Sequence, residues 1–359
     1  MKKDSGTVKF TQLLMLWHKK YNKRQMPWKG EKDPYKIWLS EVILQQTRVE
    51  QGLDYYLKFL KAYPTVKKLA AASDNEVYKL WEGLGYYSRC KNLLSAARTI
   101  AGEKKGKFPN TYQSILELKG VGPYTAAAIA SFAFDLPYAV VDGNVNRVLS
   151  RYFNIDFAID SAKGKQFFNE LALEALDQGA SALYNQAIMD FGATVCKPQL
   201  PLCSDCFLQK SCLSLKNGTV NALPVKGKKN AKKHRWFYYI VAEYGNKILV
   251  KKRLNKDIWQ NLHEFILLET ESYLSPEQID QTLAIKELEN QKYKIIHISD
   301  SFKQQLTHQT VHAVFIHIKM SRKIIPEGMG FADKDDLLKL AFPRLINGYM
   351  EQEFWSKQF

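Results

Sequence analysis

The stretch LKGVGPYTAAAIASFAF, residues 118–134, decides how the N-terminal part of the chain folds. Gly120 and Gly122 permit a tight turn, and Pro123 suits the first position of a following helix, where its missing N–H is no loss. The small residues after Thr125 let another helix approach closely. Two helices joined in this way form a helix–hairpin–helix. Backbone N–H groups at Gly120, Val121 and Gly122 would then make an anion site fit for a DNA phosphate. The plainer reading is that the glycines only turn the chain. A formal net charge of +16 favours phosphate binding, because such an excess points to a polyanionic partner, nucleic acid or an anionic membrane surface.

Outward from the hairpin the pattern is helical, from about residue 9 to 215, in segments such as VKFTQLLMLWHKKYNK, DPYKIWLSEVILQQTRVEQGLDYYLKFLKAY, NEVYKLWEGLG and SAKGKQFFNELALEAL. Composition changes at NALPVKGKKNAKKHR, where six Lys or Arg and no acid lie between Lys226 and Arg235. Beyond it RWFYYIVAEY, KILVKKR, YKIIHIS and VHAVFIHIK are β-branched and aromatic, as strands are. The expected organisation is a mainly α domain over residues 1–220, an exposed basic linker over 221–234 and a mixed α/β domain over 235–359. No apolar run approaches a membrane span, and MKKDSGTVKF lacks the apolar core of a signal peptide. A soluble, intracellular (cytoplasmic) protein without a membrane partner is expected.

Four of the five cysteines crowd into CKPQLPLCSDCFLQKSC as C-x6-C-x2-C-x5-C: Cys196, Cys203, Cys206 and Cys212. Crowding of this kind in a cytosolic chain argues for metal rather than disulfide. Thiolates ligate zinc or an iron–sulfur cluster. Structural zinc usually shows two separated C-x2-C pairs, so the spacing tilts toward a 4Fe–4S cluster and leaves zinc as the alternative. Cys90 reads as an ordinary helix residue.

Two acids stand in unexpected places. Glu41 lies in LSEVILQQTRVEQ, residues 39–51, on the apolar side of a helix, where a carboxylate is costly unless compensated. A salt-bridged core residue is its ordinary explanation. Asp142 opens VDGNVNRVLSR, residues 141–151, where an N-cap is its ordinary explanation.

Taken in order, the Glu41 helix, the hairpin, VDGNVNRVLSR and the four cysteines resemble the endonuclease III superfamily of base-excision DNA glycosylases, and within it the adenine-specific MutY branch. The resemblance implies a mainly α helix–hairpin–helix glycosylase domain with an iron–sulfur cluster loop, plus a C-terminal α/β (α+β) Nudix-like lesion-recognition domain. It implies a 4Fe–4S cofactor, and a monomer acting on double-stranded DNA with A:8-oxoG or A:G mispairs. Glu41 would protonate adenine N7, Asp142 would stabilise the oxocarbenium-like sugar, and Tyr124 and Asn144 would support them. Lyase members of the superfamily carry a lysine where this chain has Tyr124, so the expectation is a monofunctional enzyme. Lys119 lies across the turn and reads as a phosphate contact or an exposed residue.

The same resemblance makes Gln46 and Tyr86 the wedge that fills the gap left by a flipped base, with Thr47 on the opposite base. It assigns Arg24, Trp28, Leu44 and Gln186 to the adenine pocket, although Trp28 and Leu44 also suit plain core. The lesion-reading F-S-H loop of the family corresponds to Leu306, Thr307 and His308. The acid cluster of a Nudix hydrolase is missing from IWQNLHEFILLETESYL, which argues against nucleotide hydrolysis. The competing functions are a bifunctional pyrimidine-lesion glycosylase with lyase activity, and a non-catalytic DNA-binding protein with a structural metal cluster.

Overall fold

The structure, a computed structural model, describes residues 4–227, 232–275, 278–279 and 292–355. The chain divides into two compact units, Met1–Ala71 with Asn92–Lys228, and Ala72–Lys91 with Lys229–Phe359.

The first unit is helical. Its elements are α1 (Ser5–Tyr21), α2 (Pro34–Leu44), α3 (Val49–Ala62) and α4 (Val66–Ala71). After α5 (Asp74–Trp81), which belongs to the other unit, come α6 (Tyr87–Gly102), whose residues up to Lys91 also belong to the other unit, α7 (Tyr112–Leu116), α8 (Pro123–Phe134), α9 (Gly143–Phe153), α10 (Ala162–Ala175), α11 (Ser181–Thr194) and α12 (Leu213–Lys216). Phe10, Leu14 and Trp17 of α1 pack against Leu149, Phe168 and Phe191 in a core shared by α1, α9, α10 and α11. DPYKIWLSEVILQQTRVEQGLDYYLKFLKAY reads as one helical run, yet it breaks between α2 and α3. Gln46 adopts a left-handed φ of 55° there, and no helix continues through that conformation.

The hairpin connects α7 and α8 as its glycines foretell. Val121 N–H donates to the Leu118 carbonyl at 3.0 Å, Gly122 caps α8, and Pro123 takes the first helical position. Gly120 is required twice over. Its φ is +79°, and a Cβ there would lie 2.5 Å from the Cβ of Asn92. Gly120→Ala should therefore lower stability by about 1–3 kcal/mol, read as a shift in the urea midpoint, and should weaken affinity for duplex DNA. The alanines of α8 lie within the unit, with Ala126, Ala128 and Ala130 fully buried, and α8 packs on α2, α7 and α11.

The segment expected as an exposed linker is partly anchored. Leu223 is buried, its carbonyl accepts from Arg151 Nε at 3.0 Å, Ile159 N–H donates to the Val225 carbonyl at 3.1 Å, and Gly227 N–H donates to Asp160 at 2.8 Å. Three backbone groups of the segment find partners within the first unit in this way, which a solvated linker would not provide.

The second unit is built on a mixed sheet of eight strands: β1 (Lys233–Tyr244), β2 (Lys247–Lys252), β3 (His263–Glu264), β4 (Ile266–Thr270), β5 (Tyr293–Ile298), β6 (Phe302–Gln305), β7 (Gln309–Met320) and β8 (Met329–Ala332). The main path runs β3-β2-β1-β7-β5, with β4 on β1, β6 on β7 and β8 on β2. β1 and β7 are parallel, in register from Lys233↔Gln309 to Glu243↔Lys319. Both are buried on two faces, which explains why they read as near-continuous apolar runs.

α5 and the turn after it also belong to this unit, although the sequence places them with the helices. Their polar groups explain this. Lys79 Nζ donates to the Leu340 carbonyl at 2.9 Å, Asn261 donates to the Tyr78 hydroxyl at 2.9 Å, and Glu82 accepts the Phe342 N–H at 2.8 Å. Acids after the linker are committed to arginines: Glu264 to Arg253 at 2.8 Å, and Asp257 and Glu269 to Arg235 at 2.7 and 2.6 Å.

Candidate active site

α2 places Glu41. The helix starts cleanly, with Asp33 accepting the Tyr35 N–H at 2.9 Å and Pro34 at the first position. Glu41 is only 8% exposed. Tyr124, on the first turn of α8, donates its hydroxyl to the Glu41 carboxylate, and Asp142 lies close enough to be felt electrostatically. Burial drives the Glu41 carboxyl up to about 7; the Tyr124 hydrogen bond opposes the rise and the Asp142 charge adds to it. Among the described residues Glu41 has no salt bridge, the pairing that would explain an inert core glutamate. The Tyr124 hydroxyl is itself held well above the usual range, first by burial and then by the two carboxylates.

Asp142 is both cap and site residue. One oxygen accepts the Val145 N–H at 2.7 Å, starting α9, and the other accepts Asn144 Nδ2 at 2.7 Å. Burial raises its carboxyl, against those two hydrogen bonds, which favour the anion. Asn144 is in turn fixed by Arg147, whose Nη2 donates to the Asn144 amide oxygen at 2.8 Å and to the Gly192 carbonyl at 2.7 Å. Arg147 Nε donates to the Cys196 carbonyl at 2.7 Å. One guanidinium thus ties the first cysteine of the loop to the group that orients Asp142. The close approach needs Gly192, where a Cβ would lie 2.6 Å from the Asn144 Cβ.

These carboxyls open on a cleft of about 720 Å³. Its walls contain Arg24, Trp28, Glu41, Leu44, Thr47, Tyr124, Asp142, Asn144 and Gln186, nine of the residues singled out from the sequence. Trp28 and Leu44 are therefore wall residues, and Trp28 packs edge-on against Tyr56, their ring centres 5.6 Å apart. Gln46 and the hairpin residues Gly120, Val121 and Gly122 lie in the same unit but outside the cleft walls.

Tyr86, Thr307 and His308 belong to the second unit. There the Tyr86 hydroxyl is 3.0 Å from the Thr307 hydroxyl. Residues 306–308 form the turn between β6 and β7, closed by Leu306 N–H on the Gln309 carbonyl at 2.8 Å, and His308 is exposed. Both wedge candidates have left-handed backbones, Gln46 at φ 55° and Tyr86 at φ 47°. Such strain costs roughly 1–3 kcal/mol per residue and collects at functional positions.

Cys196, Cys203, Cys206 and Cys212 line one small void with apolar walls that include Val148, Phe191 and Leu208. Burial is the first cause raising the thiols of Cys196, Cys206 and Cys212, to about 11 for Cys206. Arg151 Nη1 lies 3.6 Å from the Cys196 sulfur and donates to the Lys197 carbonyl at 2.7 Å, setting a positive charge beside the thiols. Among the described residues no three His, Cys, Asp or Glu side chains close on a point as ligands of a single ion would. All four cysteines line the same void.

Sequence reasoning overlooked α11 almost entirely, taking only Gln186 from YNQAIMDFG. Asn185 accepts the Val140 N–H at 3.0 Å and donates to the Tyr138 carbonyl at 2.9 Å, fixing the segment that leads to Asp142. Asp190, fully buried, holds Arg24 and Gln186. Polar residues this dense on a helix with no exposed partner pattern were the available signal.

Residues 39–172 match the family described as HhH-GPD superfamily base excision DNA repair protein, and residues 237–352 match the NUDIX domain. The adenine DNA glycosylase of Buchnera aphidicola subsp. Baizongia pistaciae is 34% identical over 316 residues, covering 85% of this chain and 85% of that protein. The chain belongs to the adenine DNA glycosylase family. A family member from Homo sapiens is 42% identical over 208 residues, 55% of this chain and 38% of its own length. Among solved structures, a thermostable thymine-DNA glycosylase is 28% identical with a TM-score of 0.54, covering 59% of this chain and 97% of its own. Membership explains why a helix–hairpin–helix glycosylase domain and a Nudix-like sheet occur in one chain. Among the described residues no helix is long and apolar enough to cross a membrane.

Proposed function

We propose that this chain hydrolyses the N-glycosidic bond of adenine mispaired with 8-oxoguanine or guanine in duplex DNA, leaving an uncleaved abasic site. The carrying observation is a buried Glu41 poised near neutrality beside Tyr124 and Asp142 in one cleft. Two carboxyls in different environments can divide acid and electrostatic work, as in glycoside hydrolysis. Protonated Glu41 gives its proton to N7 of the flipped base, which turns adenine into a neutral leaving group. Asp142, whose anionic form is favoured by Val145 N–H and Asn144 against the effect of burial, faces the positive charge that develops on the sugar. Glu41, once deprotonated, accepts a proton from the attacking water. Tyr124 cannot form an imine, so the strand is left intact.

The extrahelical base is held by Arg24, Trp28, Leu44 and Gln186, while Gln46 and Tyr86 fill the gap and Thr47 meets the opposite base. The hairpin Gly120–Val121–Gly122 holds a phosphate through its N–H groups. Thr307 and His308 read the opposite 8-oxoguanine, a reading supported by the hydrogen bond that brings Thr307 to Tyr86. Replacing Thr307 and His308 together should reduce the preference for A:8-oxoG over A:G about tenfold, measured as single-turnover rates on the two duplexes. An unchanged ratio removes the assignment.

Cys196, Cys203, Cys206 and Cys212 hold a 4Fe–4S cluster in this reading. The apolar walls, the shared void and the adjacent Arg147 and Arg151 suit an anionic cluster. Bound there, the cluster would cross-link the loop whose Cys196 carbonyl accepts from Arg147. A brown protein with iron and sulfide supports this; a colourless zinc protein overturns it. The enzyme works as a monomer, inside the cell with the DNA, and its functional parts are the glycosylase domain 1–220, of which Ala72–Lys91 clusters with the second unit, the linker 221–234 and the lesion-reading domain 235–359. Incubation with duplexes holding A:8-oxoG, A:G, A:T and thymine glycol, followed by alkali, tests the whole reading. Cleavage confined to the first two duplexes, and only after alkali, is expected. Efficient borohydride trapping or thymine glycol release overturns it.

A further inference from the structure

We infer that Asp190 is a positioning residue that makes the pocket specific for a base carrying an exocyclic amine, by fixing which way the Gln186 amide faces. This rests on the adenine reading above and adds the origin of its selectivity. Asp190 lies on α11, fully buried behind the cleft wall. Its carboxylate has four side-chain donors. Oδ1 accepts from Arg24 Nη1 at 2.9 Å and Gln186 Nε2 at 3.0 Å, and Oδ2 accepts from Lys29 Nζ at 3.1 Å and Asn22 Nδ2 at 2.8 Å. Arg24, Lys29 and Gln186 all line the cleft.

The chemistry of the pairing settles the amide. An ionised carboxylate accepts and cannot donate, so the Gln186 group beside it must be the NH2. The opposite orientation would set a carbonyl oxygen against a buried anion, two acceptors with no proton between them. With Nε2 engaged, Oε1 is the amide atom turned away from Asp190 and offered to the cleft. A carbonyl oxygen in that place welcomes the N6 amine next to a protonated N7, and repels the O6 of hypoxanthine, which differs at that edge only by oxygen for nitrogen. The two cations on the same carboxylate lock it, because Arg24 and Lys29 can only donate. Lys29 also donates to the Arg24 carbonyl at 2.8 Å, so the clamp closes on itself.

Asp190→Asn tests this directly. Asparagine is isosteric and can meet Gln186 with either an oxygen or an NH2, so the amide is no longer held one way. The readout is the ratio of single-turnover excision rates for adenine and hypoxanthine opposite 8-oxoguanine. The variant should lower that ratio about tenfold, and in a Gln186→Leu background the same change should leave the ratio where Gln186→Leu put it. Equal losses for both bases, with the ratio intact, mean a merely structural Asp190 and overturn the inference. Should Asp190→Asn fail to fold by circular dichroism, Gln186→Leu alone must lower the ratio; an unchanged ratio there also overturns it. Failure of the wild-type chain to excise adenine is a different result, and refutes the proposed function instead.

Discussion

Glu41→Gln should slow adenine excision by a factor of about 10²–10⁴ while leaving affinity for mispaired duplex unchanged. The amide fills the same space beside Tyr124 but has no proton of suitable acidity to give. Single-turnover excision and gel-shift titration separate the two properties, and wild-type-like turnover would exclude the acid role. The wild-type rate should also fall about tenfold per pH unit once the pH passes about 7, where the Glu41 carboxyl loses its proton. That limb should vanish with the residue.

The same substitution should stabilise the fold, and only at high pH. In the folded chain the Glu41 carboxyl stands at about 7 against an ordinary value of 4.5. The folded state therefore holds this proton more tightly than the unfolded state. Wild-type stability is fully kept below the ordinary value and declines as pH rises through about 7. Above pH 8 the loss amounts to about 3 kcal/mol, at 1.36 kcal/mol per unit. Glu41→Gln should recover about that much at pH 8 and nothing near pH 4, measured by urea unfolding at the two values. A variant that is less stable at both would show that the carboxylate is compensated by something other than a proton.

The second large effect is expected at Arg147. This side chain is 7% exposed and serves the carbonyls of Gly192 and Cys196 and the amide oxygen of Asn144. Arg147→Met keeps an unbranched, shorter side chain and removes every donor. These acceptors, one buried and the others part-buried, lose their partner together with the Gly143 carbonyl at 3.3 Å, and a loss on the order of 3–5 kcal/mol follows. Excision should fall further, by about 10²-fold at a temperature where the variant is folded, because Asn144 no longer fixes the Asp142 oxygen that it bonds at 2.7 Å. Arg147→Lys should recover little, since one ammonium cannot span the three acceptors that a guanidinium reaches. Urea midpoints together with single-turnover rates check both parts. Normal excision by a destabilised Arg147→Met would show that the arginine braces the loop without orienting Asp142.

Much of the site was legible because its chemistry is local. The glycines of the hairpin announce a tight turn, and at Gly120 the left-handed backbone and the nearby Asn92 leave no room for a side chain. Four cysteines in one short loop admit few explanations. Glu41 was conspicuous because a lone acid among Ile37, Leu39, Val42 and Ile43 violates the apolar pattern of its own helix. Asp142 was visible as a cap, and the structure shows a cap that is also part of the cleft. α5 was misplaced because its helical pattern says nothing about which neighbours its polar groups will find.

The sequence by itself determined which residue types are available: an acid on an apolar helix face, a second carboxylate, a tyrosine in place of a lysine, and four thiols in one short loop. Those are properties of residue types at short spacing. Only the tertiary structure decided how these groups are aimed and charged. Arg147 reaches from α9 to the carbonyl of Cys196, and Asp190 on α11 gathers Asn22, Arg24 and Lys29 from far earlier in the chain. In the sequence each is an ordinary charged residue on a helix. What makes them matter is burial, since a charge removed from water must take its partners from whatever the fold brings near.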